Sequence, residues 1–186
     1  MRKINLFIAM SLDGYIADNK GGVEWLKGQG KDEENVDSYS EFIRDVDTVI
    51  MGWNTYYQIV TELSPEEWVY ADLMTYVMTH RERTDTDNIR FVNRNPVELL
   101  KELRSEDGKD IWICGGANLI QQFVKEDLID CYYITVIPTI LGGGIRLFEN
   151  TEREIKLKLV STRSYNGMTD LVYERREYIK KRNLLL

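Results

Sequence analysis

Four short stretches set small or polar residues directly behind an apolar run: Asp13-Gly14, Gly52 to Thr55, Thr79 to Arg81, and Gly115-Gly116. Two bare glycines before a helix leave unshielded N–H groups at its positive end, which suits a phosphate. A turn needing positive φ explains the same pair equally well. Thr55 suits either a helix cap or a phosphate contact, and the cap is the commoner use. Arg81 carries a guanidinium fork that pairs bidentately with phosphate oxygens, and Arg83 lies two residues on. Asp13 would stay protonated beyond a buried strand or accept hydrogen bonds from a substrate; an Asp-Gly turn is the plainer reading. Asp37, Tyr39 and Glu41 share one stretch of helical spacing. Trp25, Tyr39, Phe42 and Trp53 would line an aromatic pocket or fill the core.

Other chemistries are excluded. His80 is the only histidine and the two cysteines, Cys114 and Cys131, are far apart in apolar runs. A multi-histidine metal site, a zinc site and a disulfide scaffold are therefore not expected. Neither a GxGxxG fingerprint nor a Walker A sequence is present. With 24 Lys+Arg against 31 Asp+Glu, the net charge is −7. That excess argues against nucleic acid, so any phosphate must be held locally by a few arginines and backbone amides. The apolar stretch Ile4 to Met10 meets Asp13 too soon for a signal peptide or membrane span. A soluble, reduced, cytoplasmic protein is expected.

Short apolar runs alternate with longer amphipathic ones, the pattern of an α/β domain. Strands are expected at Ile4–Met10, Thr48–Met51, Leu73–Thr79, Ile89–Val92, Lys109–Cys114 and Asp130–Ile137. A terminal antiparallel hairpin is expected over about Glu154–Thr162 and Asp170–Arg176. Helices are expected at about Glu33–Val46, from Thr55 to about Val60, from Asn95-Pro96 to about Ser105, and over Ala117–Lys125. Asn95 makes a good N-cap with proline at the first helical position. One domain over 1–178 with a frayed tail at 179–186 is the expected organisation. In such sheets ligands bind beyond the carboxyl ends of the strands, where the four polar stretches fall.

Four segments in order carry a resemblance: Ser11-Leu-Asp-Gly-Tyr-Ile-Ala-Asp, Asp47-Thr-Val-Ile-Met-Gly-Trp-Asn-Thr-Tyr, Ile113-Cys-Gly-Gly-Ala-Asn-Leu-Ile, and Ile137-Pro-Thr-Ile-Leu-Gly-Gly-Gly-Ile-Arg-Leu-Phe. Together they span Ile4 to about Glu174, and the chain resembles the dihydrofolate reductase-like superfamily. Its nearest branch is that of the reductase domain of riboflavin biosynthesis and stand-alone relatives. The resemblance implies a three-layer fold with a mostly parallel sheet of about eight strands and an antiparallel C-terminal strand. It implies NADPH as cofactor and hydride transfer to a pterin-like or pyrimidine-like heterocycle, such as dihydrofolate or 5-amino-6-(5-phosphoribosylamino)uracil.

By the same resemblance Gly52 and Thr55 flank the cofactor phosphates, and Trp53 between them is a further cofactor-binding candidate. Thr79, His80 and Arg81 lie near the adenosine, and Gly115, Gly116, Ala117 and Asn118 hold the pyrophosphate. Ala9, Asp13 and the Leu141–Gly144 passage lie near nicotinamide and substrate; Leu141 and Gly142 from that passage, and Tyr39 and Phe42 from the aromatic reading, are the expected substrate contacts. Asp13, then Asp37, is the expected polar catalytic contact, and no metal is expected. Two departures stand out. Trp53 replaces the arginine usual in the Met-Gly-Arg segment, so Arg81 or Arg83 would compensate. The single acid usual on the first helix has two candidates, Asp37 and Glu41. A ribose phosphate would need a further cationic cluster, and none is dense here. A non-catalytic nucleotide-binding or sensor protein on the same scaffold is the alternative function. The terminal hairpin offers an edge strand for a homodimer.

Overall fold

The computed structural model describes residues 1–149, 151 and 154–176. Among these, ten strands form: β1 (Ile4–Ser11), β2 (Tyr15–Ala17), β3 (Val46–Gly52), β4 (Met74–Met78), β5 (Ile89–Val92), β6 (Asp110–Gly115), β7 (Cys131–Ile137), β8 (Ile145–Arg146), β9 (Leu157–Tyr165) and β10 (Met168–Arg175). Four α-helices accompany them: α1 (Ser38–Ile43), α2 (Trp53–Gln58), α3 (Pro96–Ser105) and α4 (Ala117–Lys125). Eight strands make one sheet in the order β5-β4-β3-β6-β1-β7-β10-β9, and β2 pairs with β8 in a small second sheet. All neighbours from β5 to β7 run parallel, while β10 is antiparallel to both β7 and β9.

Parallel strands are covered on both faces, which explains the unbroken apolar runs. On one face α3 and α4 bury Leu100, Leu103, Ile120 and Phe123 against Ile4, Leu6, Ile111 and Ile113. On the other, Phe42 of α1 packs with Val46, Val49, Met51, Val77 and Trp112. Each fully buried side chain of this kind contributes about 1.5–3 kcal/mol. Asn95 caps α3 as expected, its Oδ1 accepting the amides of Val97 and Glu98 at 2.9 and 3.2 Å, with Pro96 next.

Four expectations are corrected. The first helix does not run over 33–46. A single 3-10 turn (Asp32–Glu34) is followed by extended Asn35, and α1 starts only at Ser38. Three adjacent acids and the side-chain bonding of Asn and Asp favour a turn and a cap over a helix interior. Thr55 is not a cap: Gly52 is the N-cap of α2, and Thr55 is the third helical residue. That helix continues as one π turn over Ile59–Leu63. The terminal hairpin closes through two residues rather than seven. Asn166-Gly167 take φ of +44° and +74°, the twist that matches paired strands. The expected polar loop after β1 also contains β2. There Gly144 (φ +140°) lies so close to the Ala17 carbonyl that a Cβ would sit 2.1 Å from its oxygen. The expected tail at 179–186 lies outside the described residues.

Candidate active site

The carboxyl ends of β3 and β6 lie side by side, Met51 in register with Gly115. The chain turns sharply at both ends, and the two turns touch. A Cβ on Gly52 would meet the Gly116 nitrogen at 3.7 Å; one on Gly115 or Gly116 would meet Thr55 Oγ1 at 3.6 or 3.4 Å. Gly115 also has φ +142°, a conformation L side chains rarely adopt, and the Gly115–Gly116 peptide is cis. Gly52, Thr55, Gly115 and Gly116 therefore form one cradle of backbone and a single hydroxyl. Gly116 is the N-cap of α4 and no side chain caps that helix start, so its first amides, at Ala117 and Asn118, face outward with the positive end of the helix. The Asn118 side chain is exposed and accepts from Gln122.

Beside this cradle, Trp53 collects two cations. The guanidinium carbons of Arg81 and Arg83 each lie 5.0 Å from its ring centroid. Among the described residues neither arginine has a carboxylate within 4 Å. Tyr57 stacks on Trp53 at 5.9 Å and Tyr56 and Phe91 complete its packing. Thr79 is buried and its hydroxyl accepts the Arg81 amide at 3.0 Å, which turns the chain outward. His80 is exposed and its Nδ1 lies 2.8 Å from Asn93 Oδ1.

Asp13 and Asp37 are both held by local hydrogen bonds. Of the two readings of Asp13, the geometry matches the hydrogen-bond acceptor. Its carboxylate accepts the Ser11 hydroxyl at 2.6 Å and the amides of Gly142 and Leu141 at 2.8 and 3.1 Å. Those bonds hold its pKa at about 2, below the ordinary 3.8. The Leu141 and Gly142 amides are thus engaged with Asp13, and the bonds tie the β7–β8 passage to the end of β1. Asp37 is exposed and caps α1 through the Ser40 amide, 2.9 Å away; the Ser40 bonds lower its pKa.

A cavity of about 450 Å³ opens between α1 and the β1–β7–β10–β9 part of the sheet. Its lining includes Phe7, Ser38, Glu41, Phe42, Thr135, Arg163 and Asp170. Register makes the floor from Thr135, Asp170 and Arg163, and Ala9, outside the lining, continues the same row. Ala9 pairs with Thr135, Thr135 with Asp170, and Asp170 with Arg163, giving one row across four strands. Asp170 is 8% exposed. It accepts the hydroxyls of Ser38 at 2.5 Å, Thr135 at 2.7 Å and Tyr165 at 3.0 Å. Arg163 lies 3.6 Å from the same carboxylate and 3.2 Å from Glu41. Phe42 stacks on Phe7 at 4.5 Å, and half-exposed Tyr39 meets Phe7 and Trp112 edge-on. Behind them the Cys114 thiol, bonded to the Tyr70 hydroxyl, is pushed up to about 12 by burial, which leaves it neutral and a poor nucleophile.

The structure thus brings together the expected cradle residues, but sequence reasoning missed Ser38, Thr135, Arg163 and Asp170. An inward-facing Asp in the alternating run Met168–Arg175 was the one signal available for them.

This is a dihydrofolate reductase-like fold: eight strands, mostly parallel, one antiparallel C-terminal strand, helices on both faces. The model of the RibD C-terminal domain matches residues 2–171, and the chain belongs to that family. It is 40% identical over 177 residues to the uncharacterized protein YwjB of Bacillus subtilis, covering 94% of this chain and 98% of YwjB. A provisional riboflavin biosynthesis protein of Shewanella sp. PV-4 superposes with a TM-score of 0.82 at 29% identity, covering 94% of this chain and 99% of that one. Dihydrofolate reductase from Enterococcus faecalis, solved with NADP(H), superposes with a TM-score of 0.63 at 16% identity, covering 94% and 97%. Among the described residues no helix is long and apolar enough to cross a membrane.

Proposed function

We propose that this protein is an NADPH-dependent reductase that transfers a hydride to a pterin-like or pyrimidine-like heterocycle. The observation that carries the reading is the cradle of Gly52, Thr55, Gly115 and Gly116 beside the Trp53–Arg81–Arg83 platform. A Cβ in that cradle would take the space a pyrophosphate needs, and the uncapped start of α4 supplies amides to it. Ala117 and Asn118 provide those amides. Arg81 and Arg83 hold the phosphate at the adenosine end, with Thr79 setting the turn that presents them and His80 alongside.

Bound NADPH supplies the hydride. The chain's own part is orientation, which is a large share of such catalysis. Ala9 offers a small side chain in the same row as Thr135, so a flat ring can lie close to the sheet. Phe42 and Tyr39 give the cavity an aromatic wall. Asp13 fixes Leu141 and Gly142 and so shapes the substrate entrance, while water is the proton source. The edge strand β9, with Leu159 and Val160 each 51% exposed, is the surface a homodimer would use; mass measured at two protein concentrations addresses it.

Titration with NADPH and NADH, followed by nicotinamide fluorescence, tests the reading. Sub-millimolar NADPH binding, with oxidation on adding a pterin, pyrimidine or quinone, is expected. Absence of binding refutes it, and binding without any oxidation favours a nucleotide-binding sensor on the same scaffold.

A further inference from the structure

We infer that the cavity beside α1 takes an unphosphorylated ring rich in N–H donors or cationic, and that Asp170 sets this preference by fixing Ser38 and Thr135 as acceptors. The inference rests on the reading of the cavity as the substrate site.

Asp170 stands at the middle of the cavity floor, buried, and receives three hydroxyl protons. Ser38 and Thr135 both line the cavity. A hydroxyl that has given its proton to a carboxylate has only lone pairs left to offer. A ligand reaching these two groups must therefore donate, to Thr135 and to the one Ser38 lone pair that Arg163 leaves free. Asp170 acts through them and polarises them, since a carboxylate acceptor is the strongest partner a hydroxyl has here.

Charge points the same way. The lining carries the carboxylates Glu41, Asp45, Asp110 and Asp170 against one cation, Arg163. That cation is already committed: its Nη2 donates to Ser38 Oγ at 3.1 Å and lies 3.2 Å from Glu41 Oε2 and 3.6 Å from Asp170 Oδ2. Lys109 lies at the same end of the sheet but is not part of the lining, and its Nζ donates to the Arg44 carbonyl at 2.7 Å. A phosphate entering the cavity would meet like charge with no free cation among the described lining residues. The volume, about 450 Å³, holds a one- or two-ring heterocycle. A donor-bearing edge over Ser38 and Thr135, with an apolar face against Phe42, fits it.

Three isosteric probes test this on the full-length protein: benzamidine, which only donates, benzamide, which does both, and benzoate, which only accepts. Dissociation constants come from ligand-observed NMR at millimolar concentration, with inorganic phosphate as a competitor. Benzamidine should bind about tenfold or more tightly than benzoate, with benzamide between them, the ratio expected for one modest charge-assisted preference. Phosphate should not displace it. In Asp170→Asn the new amide donates to one hydroxyl, which then turns its own proton toward the ligand, so the ratio should collapse. Thr135→Val, nearly isosteric, should weaken benzamidine and leave benzoate unchanged, and it carries the test if Asp170→Asn does not fold.

Benzoate or phosphate binding as well as benzamidine, no benzamidine binding at all, or a ratio untouched by both variants overturns the inference. NADPH titrated into the same samples separates the two readings. Loss of cofactor binding bears on the reductase assignment, whereas the order of the probes bears on the cavity alone.

Discussion

The paired arginines on Trp53 lead to a quantitative expectation for cofactor selection. NADPH and NADH differ by one phosphate on the adenosine ribose, so a residue that recognises that phosphate changes one affinity and not the other. Arg81 and Arg83 are both exposed and both lie 5.0 Å from the Trp53 centroid. Exposure puts them near the high-dielectric limit, where two unit charges about 4 Å apart interact by about 1 kcal/mol. Since about 1.4 kcal/mol is tenfold in affinity, removing one arginine should weaken NADPH about fivefold. Removing both should weaken it about thirtyfold if the two act independently. Arg81→Ala, Arg83→Ala and the double variant would be titrated with NADPH and with NADH by nicotinamide fluorescence, at two salt concentrations. NADH affinity should stay within about twofold, and the NADPH loss should shrink at high salt because the charges are solvent-facing. Equal losses for both cofactors, or no loss in the double variant, would refute the idea that this platform reads the extra phosphate.

Two further expectations concern the scaffold of the site. Asp13 titrates at about 2 in the folded protein against 3.8 ordinarily, chiefly through the Ser11 hydroxyl and then the Gly142 and Leu141 amides. A depressed folded pKa means stabilisation that is complete above about pH 4 and lost as pH falls through about 2. Asp13→Asn should therefore lower the urea midpoint at pH 7 and match the wild type near pH 2; a gap that persists or widens in acid would count against it. Asn166, buried at the hairpin turn, binds the loop before α1 through the Gly30 amide (2.5 Å), the Lys31 carbonyl (3.1 Å) and Asn35 (2.7 Å). Asn166→Ala loses three hydrogen bonds at about 1 kcal/mol each and places alanine at φ +44° for about 1 more, so about 4 kcal/mol in all. A loss under about 1 kcal/mol by chemical denaturation would show that the loop is held elsewhere.

The strand ends were readable because a buried parallel strand is a continuous apolar run, and its end is marked by the first glycine or charge. Gly52 and Gly115 stood out in this way, and each proved to end a strand. The start of α3 was readable because Asn95 and Pro96 act on their immediate neighbours. The first helix was misjudged: Val36, Tyr39, Phe42 and Val46 have helical spacing, but the capping carboxylate of Asp37 set the start at Ser38. The two-residue turn at Asn166-Gly167 was marked by its own chemistry and was passed over for the alternation around it.

What the sequence by itself determined is local: the alternation of strand and helix, the bare backbone at Gly115-Gly116, and an acidic excess that restricts phosphate binding to a few residues. The cavity floor is of another kind. Thr135, Asp170 and Arg163 form a single row only because β7, β10 and β9 lie side by side in one register. A shift of one residue in any of these strands would turn that strand's member to the opposite face. Sheet order and register arise from the packing of all the layers at once, so the place of Asp170 among Ser38, Thr135 and Tyr165 belonged to the tertiary structure alone.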